Sequence, residues 1–435
     1  MSKIIYSDED GFKKKLENFI LKERSIEEDI YEKVKQIIEN VKRAGDKALS
    51  DYTEKFDQFN LKISDIKVSQ KEISKAIKEC DSDLIIALKK AAKRIKDFHD
   101  SQTPNNFKYK DKEGVVLGVK WNPLDSVGLY VPGGKASYPS SVLMTAIPAV
   151  VAGVSEISMC VPAPRGYLSP SILTAAEIAG VKNIYKIGGA QAIAAMAFGT
   201  ETIKPVNKIF GPGNSWVAEA KRQVFGKTGI DMLAGPSEIM VIADDKNNPI
   251  WIAFDLLSQA EHDFAAQSIL LTDNIEFAKN VEIEINKMLK TLPRAIISTK
   301  SWNNNGLIIV LDDLKKSVDI VNLFSPEHIE LAVENPEELS EGIKNAGAMF
   351  LGRYTPEAIG DYVAGPNHVL PTSRTARFSS GLSTIDYMKK TSLIKCDEKS
   401  LMSIAPTAIT IANSEGLYAH SMSMSLRTKF LKNEK

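Results

Sequence analysis

Apolar residues recur at helical spacing early in the chain. Ser25 and Glu28 form a capping-box pattern just before this repeat, and Gly45 offers a stop after it. The spacing therefore predicts an amphipathic helix between these signals. Its apolar face consists of Ile30, Val34, Ile37, Ile38 and Val41.

A second capping-box pattern, Ser69 with Glu72, opens another helical segment that runs toward His99. Because charged residues flank His99, we expect its side chain at the surface. Short runs at 115–119 and 126–130 then have the composition of β-strands.

Apolar strand-like runs alternate with helical patterns over much of the remaining chain. This alternation predicts parallel sheets with crossover helices, and hence an α/β fold with two Rossmann-like modules. The predicted strands are 157–161, 184–187, 206–210, 239–243, 268–271, 307–310 and 348–351, and the predicted helices are 171–179, 190–198, 249–262 and 275–289.

The pattern also predicts how the chain divides into domains. We expect an N-terminal segment over 1–25 and a discontinuous α/β domain over 26–128 and 238–381. A second Rossmann-like domain takes 129–237, and a small C-terminal domain takes 382–435. Helical residues 407–432 are too few to hold a core alone, which predicts that they dock on another subunit.

Composition narrows the class of protein. Of the 435 residues, 43% are hydrophobic, and 55 basic side chains balance 55 acidic ones, so no net charge favours nucleic acid or an anionic membrane. The three cysteines show no CxxC spacing, which fits a reducing cytoplasm. The longest apolar stretch, 142–154, is short and contains Pro148, so we expect neither a signal peptide nor a membrane span.

Four of the five histidines stand beside acidic or amide residues. Gln259 and His262 are three apart on a predicted helix, so their side chains leave the same face and can converge on one ion. Asp361 and His420 could complete a shell of nitrogen and oxygen donors. Spacing alone leaves another interpretation open, in which His262 caps its helix and Asp361 is an ordinary loop carboxylate.

Glu327 and His328 directly follow a Ser-Pro pair, which predicts a turn or a helix start. Two adjacent ionisable side chains suit two successive proton transfers. The histidine would take a hydroxyl proton, and a glutamate with a raised pKa would activate water. The alternative is a first helical turn whose glutamate compensates the helix dipole.

Glycine-rich turns, three of them directly after predicted strands, let the backbone approach a ligand closely. None matches the GxGxxG dinucleotide fingerprint, and ordinary strand-to-helix turns also explain each. Cys160 could be a nucleophile, but without a local base we favour a buried structural cysteine. The turns are at 133–134, 188–189, 211–214 and 235–237.

Several segments together resemble the histidinol dehydrogenase family. Their order spans most of the chain, which makes the resemblance more specific than any single motif. The segments are GLYVPGG at 128–134, GPGN at 211–214, AGPSE at 234–238, LSQAEHD at 257–263, SPEH at 325–328 and GDYVAGPNH at 360–368.

This resemblance implies an NAD-dependent oxidation of L-histidinol to L-histidine in two steps through a bound aldehyde, the last step of histidine biosynthesis. It implies that His328 takes the alcohol proton and that Glu327 activates water. It implies one zinc ion per subunit, held by Gln259, His262, Asp361 and His420. It implies that the substrate binds to the two catalytic residues and the four zinc ligands, together with Ser237, His368 and Glu415. It also implies that Tyr130, Gln191 and Asn214 contact NAD.

The resemblance also implies a homodimer with a shared active site, in which the partner subunit supplies Glu415 and His420. The sequence departs from the usual family pattern at Lys135, near the predicted cofactor loop, and at Arg374, where glycine is frequent. Two rivals stay open: a zinc-dependent hydrolase of a small amino-acid derivative, in which Glu327 activates water without a redox cofactor, and a binding protein without turnover.

Overall fold

A computed structural model describes residues 4–21, 30–133 and 137–433. The predicted capping box at Ser25 and Glu28, together with Lys135, lies outside these residues. The fourteen described strands are β1 (Ile4–Tyr6), β2 (Phe107–Lys110), β3 (Val116–Pro123), β4 (Ser126–Tyr130), β5 (Glu156–Cys160), β6 (Asn183–Tyr185), β7 (Lys208–Phe210), β8 (Gly229–Ile230), β9 (Glu238–Ala243), β10 (Gln267–Thr272), β11 (Gly306–Val310), β12 (His328–Ala332), β13 (Ala348–Leu351) and β14 (Met388–Lys395).

The helices connect these strands and cover the sheets. The sixteen α-helices within the described ranges are α1 (Phe12–Leu21), α2 (Ile30–Asp57), α3 (Gln70–Glu79), α4 (Ser82–Ser101), α5 (Pro139–Ala152), α6 (Pro170–Ala179), α7 (Gly189–Phe198), α8 (Ser215–Val224), α9 (Pro249–Ala260), α10 (Ile275–Met288), α11 (Ala295–Asn305), α12 (Ser317–Phe324), α13 (Pro336–Gly342), α14 (Glu357–Tyr362), α15 (Glu398–Ser414) and α16 (Tyr418–Asn433).

Two parallel sheets form the framework, and this confirms the predicted α/β fold class. One has six strands in the order β1-β11-β10-β9-β12-β13, and the other has five in the order β6-β5-β4-β7-β8. Their central strands are buried on both faces, as parallel strands between helix layers must be. A third, antiparallel sheet has the order β14-β3-β2.

Helices α2 to α4 pack on the five-stranded sheet, whereas α1 packs on the six-stranded sheet. Apolar residues of α2 share a core with α7 and α8, while α3 and α4 pack against α5 and α6. The sequence-based division assigned this region, within 26–128, to the other module. From the packing we propose that residues 30–101 belong with the five-stranded sheet. Strand β1 instead extends the six-stranded sheet beside β11.

The expected helix stop at Gly45 is present as a kink within α2. This glycine has φ +50° and is non-helical, and a second helical stretch follows it to Asp57. A Cβ at Gly45 would overlap the carboxylate of Glu201, which accepts a hydrogen bond from the Asp46 N–H at 2.8 Å. The predicted capping box of Ser69 with Glu72 is confirmed at the start of α3.

Two other expectations about side chains had opposite outcomes. The surface position predicted for His99 is wrong, since the ring is fully buried and its Nδ1 lies 2.8 Å from the Ile95 carbonyl oxygen. His99 follows Ile95 by one helical turn and therefore lies on the buried face of α4. The buried position predicted for Cys160 is confirmed, and burial raises the pKa of its thiol to about 12.

The C-terminal part contains more structure than the sequence predicts. Strand β14 lies between residue 382 and the predicted helical segment, where the sequence predicted no element, and the segment 407–432 covers the larger part of two helices, α15 and α16. Pro406 lies inside α15, which explains why the pattern placed the helix start too late. Among the described helices, none is both long and apolar enough to cross a bilayer.

Candidate active site

The two parallel sheets face each other across a cleft of about 1870 Å³. The five-stranded sheet contributes the turns that follow its strands. In open α/β sheets, ligands commonly bind at this carboxyl end of the strands. The six-stranded sheet contributes residues that precede its strands β9, β10 and β12. Eight predicted site residues line the cleft, namely Asn214, Ser237, Gln259, His262, Glu327, His328, Asp361 and His368.

The backbone of Glu238 holds both predicted catalytic side chains. Its N–H donates a hydrogen bond to Oε2 of Glu327 at 2.9 Å, and its carbonyl oxygen lies 2.9 Å from Nδ1 of His328. Because a carbonyl only accepts, Nδ1 of His328 must carry the proton, and the neutral ring leaves the Nε2 lone pair free to act as a base.

This geometry follows from strand pairing. Parallel strands β9 and β12 align His328 with Ile239, which places residue 238 directly beside the start of β12. The predicted turn or helix start at Glu327 and His328 is wrong for His328, because that residue opens a buried strand in the sheet. Sequence reasoning missed this strand since its five residues include Glu330 as well as His328.

Burial sets the protonation of the pair. It is the main cause that raises the pKa of Glu327 well above its ordinary value, and the charges of Glu238, Asp361 and Glu357 raise it further. For His328, burial lowers the pKa, although the charge of Asp361 acts in the opposite direction. A neutral imidazole can accept a proton, and a carboxylate of raised pKa is the stronger base once it is ionised.

The predicted metal ligands within the cleft differ in exposure. Gln259 lies near the end of α9 with its side chain buried, and its Oε1 has no hydrogen-bond partner in the described part of the protein. His262 lies just past the helix end, in a turn closed by its N–H and the Gln259 carbonyl at 3.1 Å, and is exposed. Asp361 is half-buried, and its carbonyl oxygen lies 3.0 Å from Nδ1 of His368.

Glu357 is a site residue that sequence reasoning missed. Its buried Oε1 lies 3.5 Å from Nε2 of His328. Potential ligand atoms of His328, Glu357 and Asp361 all lie within 4.8 Å of one another. Among the described residues, this is the cluster of histidine, cysteine or acidic side chains that is compact enough to hold a metal ion. Its only signal in the sequence is its place four residues before Asp361 on a helix.

Buried carboxyl groups continue behind the cleft. Burial raises the pKa of Glu330 to about 9 and that of Glu357 to about 8, and it raises the pKa of the half-buried Asp255 to about 6. Glu330 and Asp255 share a hydrogen bond between their side chains. These raised pKa values favour the protonated form of three carboxyl groups near the predicted catalytic residues, and one of the three, Glu330, lies in the strand that carries His328.

We expect Glu330→Gln to make the protein less sensitive to alkaline pH. Because the pKa of Glu330 is higher in the folded than in the unfolded chain, folding takes up a proton between these values, and stability falls as the pH rises toward about 9. The Gln variant lacks this loss, so its Tm relative to wild type should rise between about pH 5 and about pH 8.5, by roughly 1 °C for each kcal/mol of relief.

Glu334→Gln is the matched control for this measurement. Glu334 follows the same strand but is exposed, and its pKa is lowered by Lys246. Its removal should leave the slope of Tm against pH unchanged over this range. Parallel curves for wild type and Glu330→Gln would contradict the proposed proton uptake.

The predicted cofactor residues lie at the carboxyl edge of the five-stranded sheet. Asn214 caps α8 by accepting a hydrogen bond from the Val217 N–H at 3.2 Å, and it lines the cleft. Tyr130 and Gln191 are buried and are not among the residues lining the cleft. The Tyr130 hydroxyl accepts a hydrogen bond from the Gly189 N–H at 3.1 Å, and burial raises its pKa to about 12.

The glycine turn after β7 is fixed by a buried ion pair. Gly211 has φ +110°, and a Cβ there would lie 2.1 Å from the Tyr130 carbonyl oxygen, so only glycine fits. Its N–H donates to Asp231 at 2.7 Å, and its carbonyl accepts from Nζ of Lys221 at 3.0 Å. Lys221 and Asp231 are themselves paired and nearly inaccessible to water. The turn is therefore held rigid beside Asn214.

Glu415 and His420 stand apart from the other predicted residues. They lie at the junction of α15 and α16, both are exposed, and neither lines the cleft in this chain. The two helices pack against each other and leave large apolar side chains in water. Those exposed on or beside α16 are Leu417, Tyr418, Leu426 and Phe430.

The sequence model of the histidinol dehydrogenase family matches residues 21–428. The chain belongs to the histidinol dehydrogenase family. The predicted resemblance is thereby confirmed. A histidinol dehydrogenase from Gluconobacter oxydans is 51% identical over 96% of this chain and 97% of its own length. One from Rhizobium meliloti is 52% identical, covering 96% of both chains.

A solved structure supports the same family. The crystal structure of histidinol dehydrogenase from Elizabethkingia anophelis is 41% identical in sequence and superposes with a TM-score of 0.94. The match covers 99% of this chain and 98% of the other. The arrangement of two parallel sheets with a helical C-terminal region is therefore that of a histidinol dehydrogenase.

Proposed function

We propose that the protein oxidises L-histidinol to L-histidine in two successive NAD-dependent steps through a bound histidinaldehyde, as a cytoplasmic enzyme of histidine biosynthesis. Membership of the histidinol dehydrogenase family supports the reaction. The observation that carries the mechanism is the pairing of Glu327 and His328 by the backbone of Glu238 at the wall of the cleft. Two proton acceptors at one position suit two oxidations without release of the aldehyde.

Zinc is the proposed metal, one ion per subunit, held by Gln259, His262, Asp361 and His420 of the partner subunit. Nitrogen and oxygen donors with no thiolate suit a catalytic zinc ion. The buried, unpartnered Oε1 of Gln259 supports this set, since a buried acceptor without a partner is costly. We assign His328 to proton transfer instead, because its Nδ1 is bonded to the backbone and Nε2 is the nitrogen left for the base.

When bound, zinc supplies a template for the substrate's nitrogen atoms, and NAD supplies the hydride acceptor for each oxidation. The chain's own residues then handle the protons. Nε2 of His328 accepts the proton of the substrate hydroxyl in the first oxidation. The charge of Asp361 favours the positive charge that develops on the ring, and the carboxyl group of Glu357 lies 3.5 Å from Nε2.

In the second oxidation, Glu327 accepts a proton from the water that adds to the aldehyde carbon. Its hydrogen bond from the Glu238 N–H fixes one carboxyl oxygen and leaves the other for the water. Burial excludes bulk solvent from this position, so the group is oriented before the substrate arrives. Ser237 and His368 line the same cleft and are proposed to bind the substrate, together with Glu415 of the partner subunit.

Asn214, Tyr130 and Gln191 are proposed to contact NAD at the carboxyl edge of the five-stranded sheet. Of these, Asn214 lines the cleft directly, and the Tyr130 hydroxyl accepts a hydrogen bond from the Gly189 N–H.

A zinc-dependent hydrolase stays the rival function. Incubation of the purified protein with L-histidinol and NAD separates the two, because only the dehydrogenase forms NADH. A chelator should abolish this formation, and no NADH from the zinc-loaded protein would exclude the proposal.

A homodimer with a shared site is proposed as the active form. It accounts for the exposed apolar side chains of α16 and for the absence of Glu415 and His420 from the cleft lining of this chain. We expect that mixing inactive His420→Ala and His328→Ala homodimers restores activity to roughly a quarter of wild type, since half of the subunits enter heterodimers with one intact site each.

Subunit exchange is verified separately with differently tagged chains, so that exchange and activity are scored independently. Mixing His328→Ala with Glu327→Ala is the control, because both substitutions fall in the part of the site that one chain supplies and no intact site can form. Verified exchange without recovery in the first mixture would place the whole site within one chain.

A further inference from the structure

Two successive residues beside the cleft have strained backbones. Ser373 and Arg374 have φ +53° and +65°, a left-handed conformation that disfavours residues with a Cβ. Neither asparagine nor glycine is present to relieve this cost. Strain that persists at the edge of a binding cleft is typical of residues with a role in ligand binding.

The strained turn is firmly held. The Gly235 N–H donates to Oγ1 of Thr372 at 2.5 Å, and the Ser373 N–H donates to Oε1 of Glu238 at 3.2 Å. The Thr375 N–H donates to the Thr372 carbonyl at 3.0 Å, which closes the turn. Arg374 is therefore fixed to the segment 235–238, which also carries the predicted substrate residue Ser237.

The side chain of Arg374 enters the cleft without a counter-ion. It lines the cleft and is half-buried, and its Nε is shielded from water. Within the described chain, Nε of its guanidinium has no hydrogen-bond partner. Burial lowers the pKa of this group, and the neighbouring Arg377 lowers it further, while the charge of Glu238 acts in the opposite direction. A partly desolvated cation beside another cation is costly until an anion binds.

We propose that Arg374 binds an oxyanion of a ligand in the cleft, either a phosphate of the dinucleotide or the carboxylate of the amino-acid product. The planar guanidinium presents paired N–H donors that match both groups. The choice between these two sources rests on the proposed function, whereas the oxyanion site itself does not. L-Histidinol has no carboxylate, so its own binding should not depend on Arg374.

The test compares Arg374→Gly with Ser373→Gly in the zinc-loaded protein. Both substitutions relieve left-handed strain, so both should raise Tm by about 2 °C, but only the first removes the cation. Calorimetric titrations use NAD, inorganic pyrophosphate, L-histidine and L-histidinol as the probes. Loss of charge-assisted hydrogen bonds should weaken oxyanion binding about tenfold or more in Arg374→Gly alone.

The pattern of losses identifies the source. If Arg374 binds a phosphate, Arg374→Gly should bind NAD and pyrophosphate more weakly. If it binds a carboxylate, the variant should bind L-histidine more weakly. In either case L-histidinol stays within about twofold of wild type. Arg374→Lys keeps the positive charge but lacks the paired N–H donors of the guanidinium. It should lose less oxyanion affinity than Arg374→Gly, and its remaining affinity should depend more steeply on salt concentration.

Unchanged binding of all four probes by Arg374→Gly, or equal losses in Ser373→Gly, would overturn the proposal. If the wild type forms no NADH from L-histidinol, the proposed function fails. The pyrophosphate titration then decides the oxyanion site independently.

Discussion

Replacing Glu327 with Gln is expected to slow oxidation of histidinaldehyde about 100-fold or more, while oxidation of histidinol to the aldehyde falls less than about tenfold. The second half-reaction needs a base for water, and an amide cannot accept that proton. The first needs His328, whose bond to the Glu238 carbonyl is independent of residue 327. The Gln carbonyl can still accept from the Glu238 N–H, so the local structure should persist.

Single-turnover measurements with histidinol and with histidinaldehyde separate the two half-reactions. His328→Asn is the comparison variant, because removal of the imidazole should slow the alcohol step at least as much as the aldehyde step. Equal losses in both half-reactions of Glu327→Gln would count against a water-activating role. They would indicate instead that Glu327 only orients the substrate.

A second large effect is expected for His262→Asn, which should lose bound zinc and lower activity by at least about 100-fold with the fold intact. The side chain lies in an exposed turn after α9, so little packing depends on it. Loss of one donor from a shell of nitrogen and oxygen ligands weakens the ion's binding directly.

Metal content per subunit is measured by elemental analysis after dialysis, and the fold is checked by circular dichroism. Asp263→Asn is the matched control, because its neighbouring exposed side chain bonds the Ala265 N–H at 2.9 Å and Asn can keep that bond. The control should retain zinc. Full zinc occupancy in His262→Asn would refute the proposed ligand.

The sequence predicted the fold class because buried parallel strands alternate with helices in a pattern that is visible along the chain. Strands such as β9 and β13 were located within one residue of their observed bounds. Strand β12 was not predicted, because the polar residues His328 and Glu330 interrupt the apolar run that indicates a buried strand. Polar groups in a buried strand are stabilised by partners distant in sequence, which periodicity cannot reveal.

The candidate site could be predicted in composition but not in arrangement. The clustered motifs pointed to the residues that line one cleft, yet the contacts that organise them involve Glu238 and Glu357, which no motif singled out for a role. The packing of residues 30–101 on the five-stranded sheet also depends on the tertiary fold. These features depend on contacts between strands and helices that are distant in sequence, so local residue spacing cannot predict them.

The amount of NADH formed per molecule of histidinol tests most directly whether one cleft performs both oxidations. With limiting L-histidinol and excess NAD, we expect two NADH and one L-histidine for each substrate molecule, with no free aldehyde captured by an added trapping amine. One NADH per substrate together with trapped aldehyde would contradict the account, because Glu327 and His328 would then serve only a single oxidation.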